Sequence, residues 1–435
     1  MAKVFSLISI FFLVSTAAAA HTYQRGEQQT QQQVRRQQDA RQCRIQQLTA
    51  SQPNQQLWNE FEDQFQCAGV APMRSVIQPN CLSLPNFSPS PRLVYIQQGQ
   101  GLLGLSQPGC AETYHSSQQT GLRREGSQQA GRQRDQHQKI HRIRKGDIVA
   151  LPAGVAHWCY NDGNEELVAV SVTDLNNNAN QLEQKFRSFY LAGGQPQRSS
   201  SLQGSPRQQQ KQRETFQNVF RAFNKNLMAE AFNIPVEVVR RMVRGEEMRM
   251  IRPEEEQEYD QSRRYNNDNP READVYSRQA GRINIVNSQK LQILNYMDMS
   301  ADKQNRYPNA MHAPQWTMNA HSIFYVTRGE AHVQVVGSNG QTVLDNRVNQ
   351  GDLFVVPQHF VSTIRAGNNG FEYVAFKTSG QPMKSPLVGY TSAFKAMPIQ
   401  VLANSFQIST QEAQNLKYNR EHHTMLLPPR AVRSS

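Results

Sequence analysis

After residue 20, the 435-residue chain has no apolar run near the roughly 18 residues that a membrane helix needs. Several catalytic patterns are missing too. There is no Gly-x-Ser-x-Gly elbow, no phosphate-cradling glycine loop and no His-Glu-x-x-His helix. The aromatic-rich motifs that RNA-binding sheets use are absent. That absence bears on the net charge of +12, because the 35 arginines and 12 lysines lie scattered among 54 glutamines and form no single basic face. The charge reads as a solvated, nitrogen-loaded surface and not as a nucleic-acid site. Cysteine is scarce at five (Cys43, Cys67, Cys81, Cys110 and Cys159). Five is odd, so at least one thiol is free or pairs between chains, and spacing alone leaves the connectivity open.

What is present divides the chain. Residues 1–20 carry a basic residue, a short apolar run and an Ala-x-Ala end, as a secretory signal does, with cleavage expected after Ala20. Such a chain enters a disulfide-permissive compartment and keeps no membrane partner once the signal is removed. Residues 21–42 are a glutamine-rich polar arm. From Cys43 to about Leu191, short alternating runs such as LVYI, DIVALP and ELVAVSV are split by Gly, Pro and Asn, the pattern of an antiparallel barrel or jelly roll. A polar insert at about 115–139 interrupts it. Helical spacing follows over 214–244, where Phe216, Val219, Phe220 and Phe223 lead a stripe continued by Leu227 and Ala231. Residues 245–272 read as a polar linker, 273–390 as a second barrel, 394–418 as further helix, and 421–435 as a polar tail with solvated His422 and His423.

The halves repeat. Phe394, Ala396, Val401, Ala403, Phe406 and Ile408 lie 174 places after Phe220, Ala222, Leu227, Ala229, Phe232 and Ile234. QGDLFVVPQHF likewise repeats KGDIVALPAGV. The fold class is therefore dominated by β-structure: two jelly-roll barrels, each with a helical extension, spanning 43–244 and 273–420. The helical stripes read either as lids on their own barrels or as subunit contacts. Aromatic density around 216–232 favours the contact.

The segment GDIVALPAGVAHWCYN at 146–161 has the glycine, proline, histidine and asparagine spacing of the second cupin signature, and so resembles the cupin barrel. In metal cupins, that histidine joins two histidines and a glutamate from the first signature. Counting back from Gly99, those ligand positions hold Pro85, Phe87 and Arg92, which leaves His157 alone. Counting from Gly329, the second barrel offers Gln315, Thr317 and Ser322, with Ser362 as the fourth position. His321 is one place from a ligand position, where alternation turns it to the other face. A catalytic metal needs about three protein ligands, so no metal, cofactor or catalytic residue is expected, and His157 reads as structural.

A dense set of segments is similar to the 11S (legumin-type) seed storage globulins. They include QCRIQ at 42–46, QFQCAGV at 64–70, LSLPNFSPSPRLVYIQQGQG at 82–101, PGCAETY at 108–114, QKFRSFYLAGG, READVYSRQAGRINIVNSQKLQIL and the final LKYNR. The resemblance implies a bicupin nutrient reservoir that assembles as trimers and hexamers, travels to the protein storage vacuole, and often acts as an allergen. It implies a Cys43–Cys67 bridge. The cysteine at the position of Cys110 normally pairs with one just after an Asn-Gly processing site, but here EEEQEYDQSRRYNNDNPREADVY has neither. Cys110 is then expected to pair with Cys81, Cys159 to be a buried free thiol, and any cutting to follow Asn266 or Asn267 in an exposed segment. A small-ligand-binding cupin and a metal-dependent cupin enzyme are the alternatives. Bound manganese or iron distinguishes the enzyme.

Overall fold

The computed structural model describes residues 56–57, 62–106, 113–115, 135–137, 140–192, 218–244, 264–420, 422–423 and 425–429. The expected signal with Ala20, the arm, Cys43, Cys110, Phe216 and linker residues 245–263 lie outside the described residues.

The first half is built from β1 (Gln56–Leu57), helix α1 (Asp63–Ala68), β2 (Val70–Ile77), β3 (Leu82–Phe87), β4 (Arg92–Gln98) and β5 (Gln100–Ser106). These are followed by β6 (Thr113–His115), β7 (Asp135–His137), β8 (Ile140–Arg144), β9 (Asp147–Leu151), β10 (Ala156–Tyr160), β11 (Leu167–Asp174) and β12 (Phe189–Tyr190). One antiparallel sheet runs β1-β2-β11-β4-β9 and the facing one β12-β3-β10-β5-β8, while β6 and β7 pair only with each other. Alternation along β4 decides what each face buries. Ile96, with Val94 packed beside it, joins Leu103, Leu105, Ile143, Val149, Leu151 and Leu167 between the sheets. Leu93 and Tyr95 face the other way, toward the second half.

The outer edge of the first sheet is completed from beyond the helices. Strand β13 (Arg264–Asn266) pairs with β9, Arg264 opposite Val149 and Asn266 opposite Asp147. The expected exposed linker is thus corrected over its last residues. Asn266 Nδ2 donates to Asp147 Oδ1 at 2.9 Å. Asn267 is 0% exposed and its N–H donates to Gly146 O at 2.8 Å. Polar sequence here means hydrogen-bonded edge strand, buried through side-chain amides with Tyr265 packed against the shared core.

The second half comprises β14 (Val275–Ser277), β15 (Gly281–Val286), β16 (Ser300–Arg306), β17 (Met311–Thr317), β18 (Ser322–Val336) and β19 (Thr342–Asn349). It continues with β20 (Leu353–Val356), β21 (Val361–Lys377), β22 (Lys384–Pro386) and β23 (Leu426–Leu427). The long strands β18 and β21 pair along most of their length, with register shifts around Arg328–Gly329. Each does the work of two strands of the first barrel. The bends fall on glycine. Gly99 (φ 80°) and Gly329 (φ 75°) are equivalent, and a Cβ there would meet Glu166 O at 2.5 Å and Gly370 O at 2.2 Å. Within the expected polar tail, Leu426 and Leu427 are instead buried, pairing with His312 and Met311 of β17.

The helical repeat is kept residue by residue. A 3-10 turn at Val219–Ala222, α2 (Lys225–Phe232) and α3 (Val236–Arg244) recur, each 174 places on, as α5 (Ala393–Ala396), α6 (Ile399–Phe406) and α7 (Thr410–Tyr418); α4 (Ile293–Met297) lies between the two sets. Asn233 and Gln407 close α2 and α6 in the left-handed conformation. Phe220 meets Phe232 edge-on, and Phe394 packs on Phe406 at the same offset. The helical extension of each half is thus a helix pair preceded by one short turn. Most of the stripe is uncovered by this chain: Phe223, Leu227 (58%) and Phe232 are exposed, as are Met397, Val401 (47%) and Phe406.

The barrels pack back to back. Phe65, Val70, Leu93, Ile148 and Val172 of the first and Leu294, Ile323, Leu353, Val374 and Phe376 of the second share one core cluster. Polar ties cross it: Lys303 Nζ donates to Tyr95 OH (2.7 Å), and Tyr325 OH to Gln97 Oε1 (3.0 Å).

Candidate functional site

In the first barrel, the residues at the cupin ligand positions form no donor set. Arg92 is buried at the start of β4, where its Nε donates to Thr173 Oγ1 (3.1 Å) on the paired strand β11. Its guanidinium lies 5.3 Å from the Phe186 ring. Burial lowers its pKa to about 10, against the opposing pull of Tyr190. Phe87 stacks on Phe189 at 5.0 Å, and Pro85 O accepts from Leu191 N at 2.9 Å. Residues 186–191 therefore lie across that end of the barrel.

His157 is partly buried on β10, with Nδ1 3.3 Å from Val155 O, a carbonyl that can only accept, so Nδ1 carries the proton. Burial first, and then the charge of Arg92, push its pKa down to about 4. Asn86, opposite His157, is itself buried and donates to Leu84 O.

The second barrel holds a charged network that sequence spacing missed. Along β16, alternate residues Asp302, Gln304 and Arg306 are all buried. Lys384 Nζ donates to Asp302 Oδ2 (2.7 Å), and Lys377 Nζ lies 3.7 Å from the same oxygen. Lys377 also donates to Ser322 Oγ (2.8 Å) and sits 5.3 Å from the Phe324 ring centre. Gln304 links the parts, donating to Asp302 Oδ1 (2.8 Å) and accepting from Arg306 Nη2, which reaches Tyr373 OH at 2.9 Å. Burial pushes the Asp302 carboxyl up, but Lys384 and Lys377 outweigh it and hold it near about 2. Burial lowers Lys377 to about 8, with Asp302 opposing and Lys384 adding. His312, buried close by, is pushed well below the usual imidazole range by burial and then by Arg306, Lys384 and Lys377. Of the expected positions, Gln315 faces Ser362 across β17 and β21, and both are buried, as is Thr317. His321 is taken up in the turn before β18, accepting from Gln358 N at 3.3 Å.

The two barrels match in an unexpected way. Arg92 and Thr173 are opposed on β4 and β11, and Ser322 and Lys377 are opposed on the equivalent strands β18 and β21. Each barrel keeps one cation hydrogen-bonded to one hydroxyl, with the strands that carry them exchanged. The resemblance to metal cupins puts the ligand glutamate where Arg92 and Ser322 stand, so that carboxylate gives way to a cation in the first half and to a hydroxyl bonded to a cation in the second. The donor set does not fit a metal ion: guanidinium and ammonium groups are acceptor-free, and they repel a cation. Among the described residues, no group of three or more His, Cys, Asp and Glu is placed to hold one.

Cys81 and Cys159 carry free thiols, which corrects the expected Cys81–Cys110 pairing; Cys110 lies outside the described residues. Cys81 is engaged through its backbone, its N–H on Gln78 O and its carbonyl on Asn161 N, at the turn entering β3. Cys159 is partly buried, and burial, with Asp162, pushes its thiol up to about 12. Cys67 is disulfide-bonded.

Two stacked jelly rolls with this turn and repeat geometry define a bicupin, and the sequence profile of the cupin family matches residues 54–197 and 265–414. The chain is 53% identical to 11S globulin seed storage protein 2 of Sesamum indicum over 434 residues, covering 90% of this chain and 93% of that one. It is 40% identical to an 11S globulin of Juglans nigra, covering 90% and 92%. The crystal structure of the coconut allergen cocosin superposes with a TM-score of 0.78 at 37% identity, covering 90% of this chain and 100% of that one. The chain belongs to the 11S globulin seed storage proteins.

Proposed function

We propose that this seed storage protein is a nitrogen and carbon reserve consumed at germination, that it performs no catalysis, and that it reaches the protein storage vacuole by the secretory route. The observation that carries this reading is the paired replacement at the ligand positions. Both barrels keep their turns, cores and helix pairs, while Arg92–Thr173 and Lys377–Ser322 occupy the place of metal chemistry. Selection for packing with no demand for a reactive centre produces that combination, and 54 glutamines and 35 arginines enrich the chain in side-chain nitrogen.

Self-association follows from the helix pairs. The uncovered faces around Leu227 and Val401 are the same surface presented twice, once per half. The first face of one copy against the second face of the next is a head-to-tail contact, and it closes into a trimer, which stacks into hexamers. Cys43 is the partner proposed for the bonded Cys67, a closure worth about 3.5 kcal/mol in the chain-entropy picture. Quantitative peptide mass spectrometry on maturing and germinating seed tests the storage role. Abundant peptides that vanish on germination are expected; scarce peptides that persist would overturn it.

A further inference from the structure

The interior of the second barrel carries more positive charge than it neutralises. Lys377 and Arg306 are buried and Lys384 is nearly so, its side chain 9% exposed, and among the described residues Asp302 is the one acid paired with these lysines. Arg306 is 1% exposed and has no carboxylate partner among the described residues. Only its Nη2 is satisfied; Nε and Nη1 have no hydrogen-bond partner there. A buried guanidinium with two unmet donors is costly in a barrel that could hold a leucine instead. Nearby His312 is held neutral, so it adds no charge but can donate from its ring. The walls beside these groups are apolar and aromatic: Phe324, Phe371, Tyr373 and Ala375. Directional donors on an apolar wall are what an oxyanion site offers, and a guanidinium presents parallel N–H groups to two oxygens at once.

We infer that the second barrel binds one small oxyanion, a carboxylate or phosphate, through Arg306 with Lys377 and Lys384, at the place where metal cupins hold a cation. The first barrel, with Arg92 alone, offers a single charge already turned to Thr173 and Phe186, and is the weaker candidate.

The test is isothermal titration calorimetry on the purified full-length mature protein at fixed ionic strength and pH 6.5. Inorganic phosphate and acetate are separate arms, which distinguish a tetrahedral from a planar ligand. One site per chain is expected for at least one of them. Arg306→Gln should weaken it about tenfold to a hundredfold, the worth of a charged hydrogen bond. Asp302→Asn removes the competing carboxylate with little change of shape and should tighten binding; it decides the matter if Arg306→Gln fails to fold. Affinity should also fall above about pH 8 as Lys377 loses its proton. Absence of saturable binding in both arms overturns the site. So does binding unchanged by Asp302→Asn, or binding lost with Arg92→Gln but kept with Arg306→Gln.

Discussion

His157 shows how one side chain can keep its place while its work changes. Its ring is turned to Val155 O and held beside Arg92, so it is folded as the neutral form. The consequence for stability has a definite sign. The unfolded chain takes up a proton near pH 6.5 and the folded chain not until about 4, so across that window the unfolded state binds more protons. The His157 contribution is complete above about pH 6.5 and lost as pH falls toward 4, and His312 adds in the same direction. Asp302 acts lower: its stabilisation is present above its ordinary value of 3.8 and is lost as pH falls through about 2. The melting temperature should therefore decline from pH 6.5 to 4, and His157→Gln should flatten that slope. An unchanged slope in the variant would assign the decline elsewhere.

At the scale of elements, the helix pairs were the most legible part of the chain and the charged barrel strands the least. Apolar residues 174 places apart marked the helices, because a helix that buries one face must repeat its pattern wherever that face is used. No such signal marks DKQNR at 302–306. Its alternation is polar on both faces: Asp302, Gln304 and Arg306 point into the barrel, while Lys303 pairs outward with Asp268. Polar residues inside a strand look like solvent-facing ones until the partner strands are known. Strands β13 and β23 were hidden for a similar reason, being two or three residues long among charged or terminal sequence. Two predictions belong here. Gln407 closes α6 at φ 53°, a conformation that costs a residue with a Cβ about 1 kcal/mol. Gln407→Gly should raise stability by about that much in denaturant melts, whereas Asn233→Gly should change it little, since asparagine already tolerates the conformation. The second concerns the exposed stripes and rests on the proposed trimer: Leu227→Asp with Val401→Asp should leave single chains by light scattering, without loss of secondary structure. A trimer that survives both changes would place the contact elsewhere.

For the whole molecule, the fold class, the twofold repeat and the vacated ligand positions could be read from residues alone, because glycine turns, strand alternation and missing ligands are local facts. How the halves hold each other could not, since it depends on which faces meet. Tyr95, Leu93, Tyr325 and Val374 are ordinary strand residues until the sheets are stacked back to back.

That stacking, together with β13, bears on what a break in the chain would do. Residue 264 follows the first half's helices, yet β13 completes the first sheet against β9, and β14 then opens the second half at Val275. A cut anywhere in 245–263 leaves β13 on the downstream fragment but hydrogen-bonded into the upstream one. The shared core and the Lys303–Tyr95 tie cross the same seam. Nicked protein should run as one particle on a native column and separate into two pieces only in denaturant, even with every disulfide reduced. Asn266 and Asn267 should resist an asparaginyl protease until the sheet opens. The two halves behave as a clasp, one arm laid along the edge of the other, and the covalent join between them is dispensable once the chain has folded.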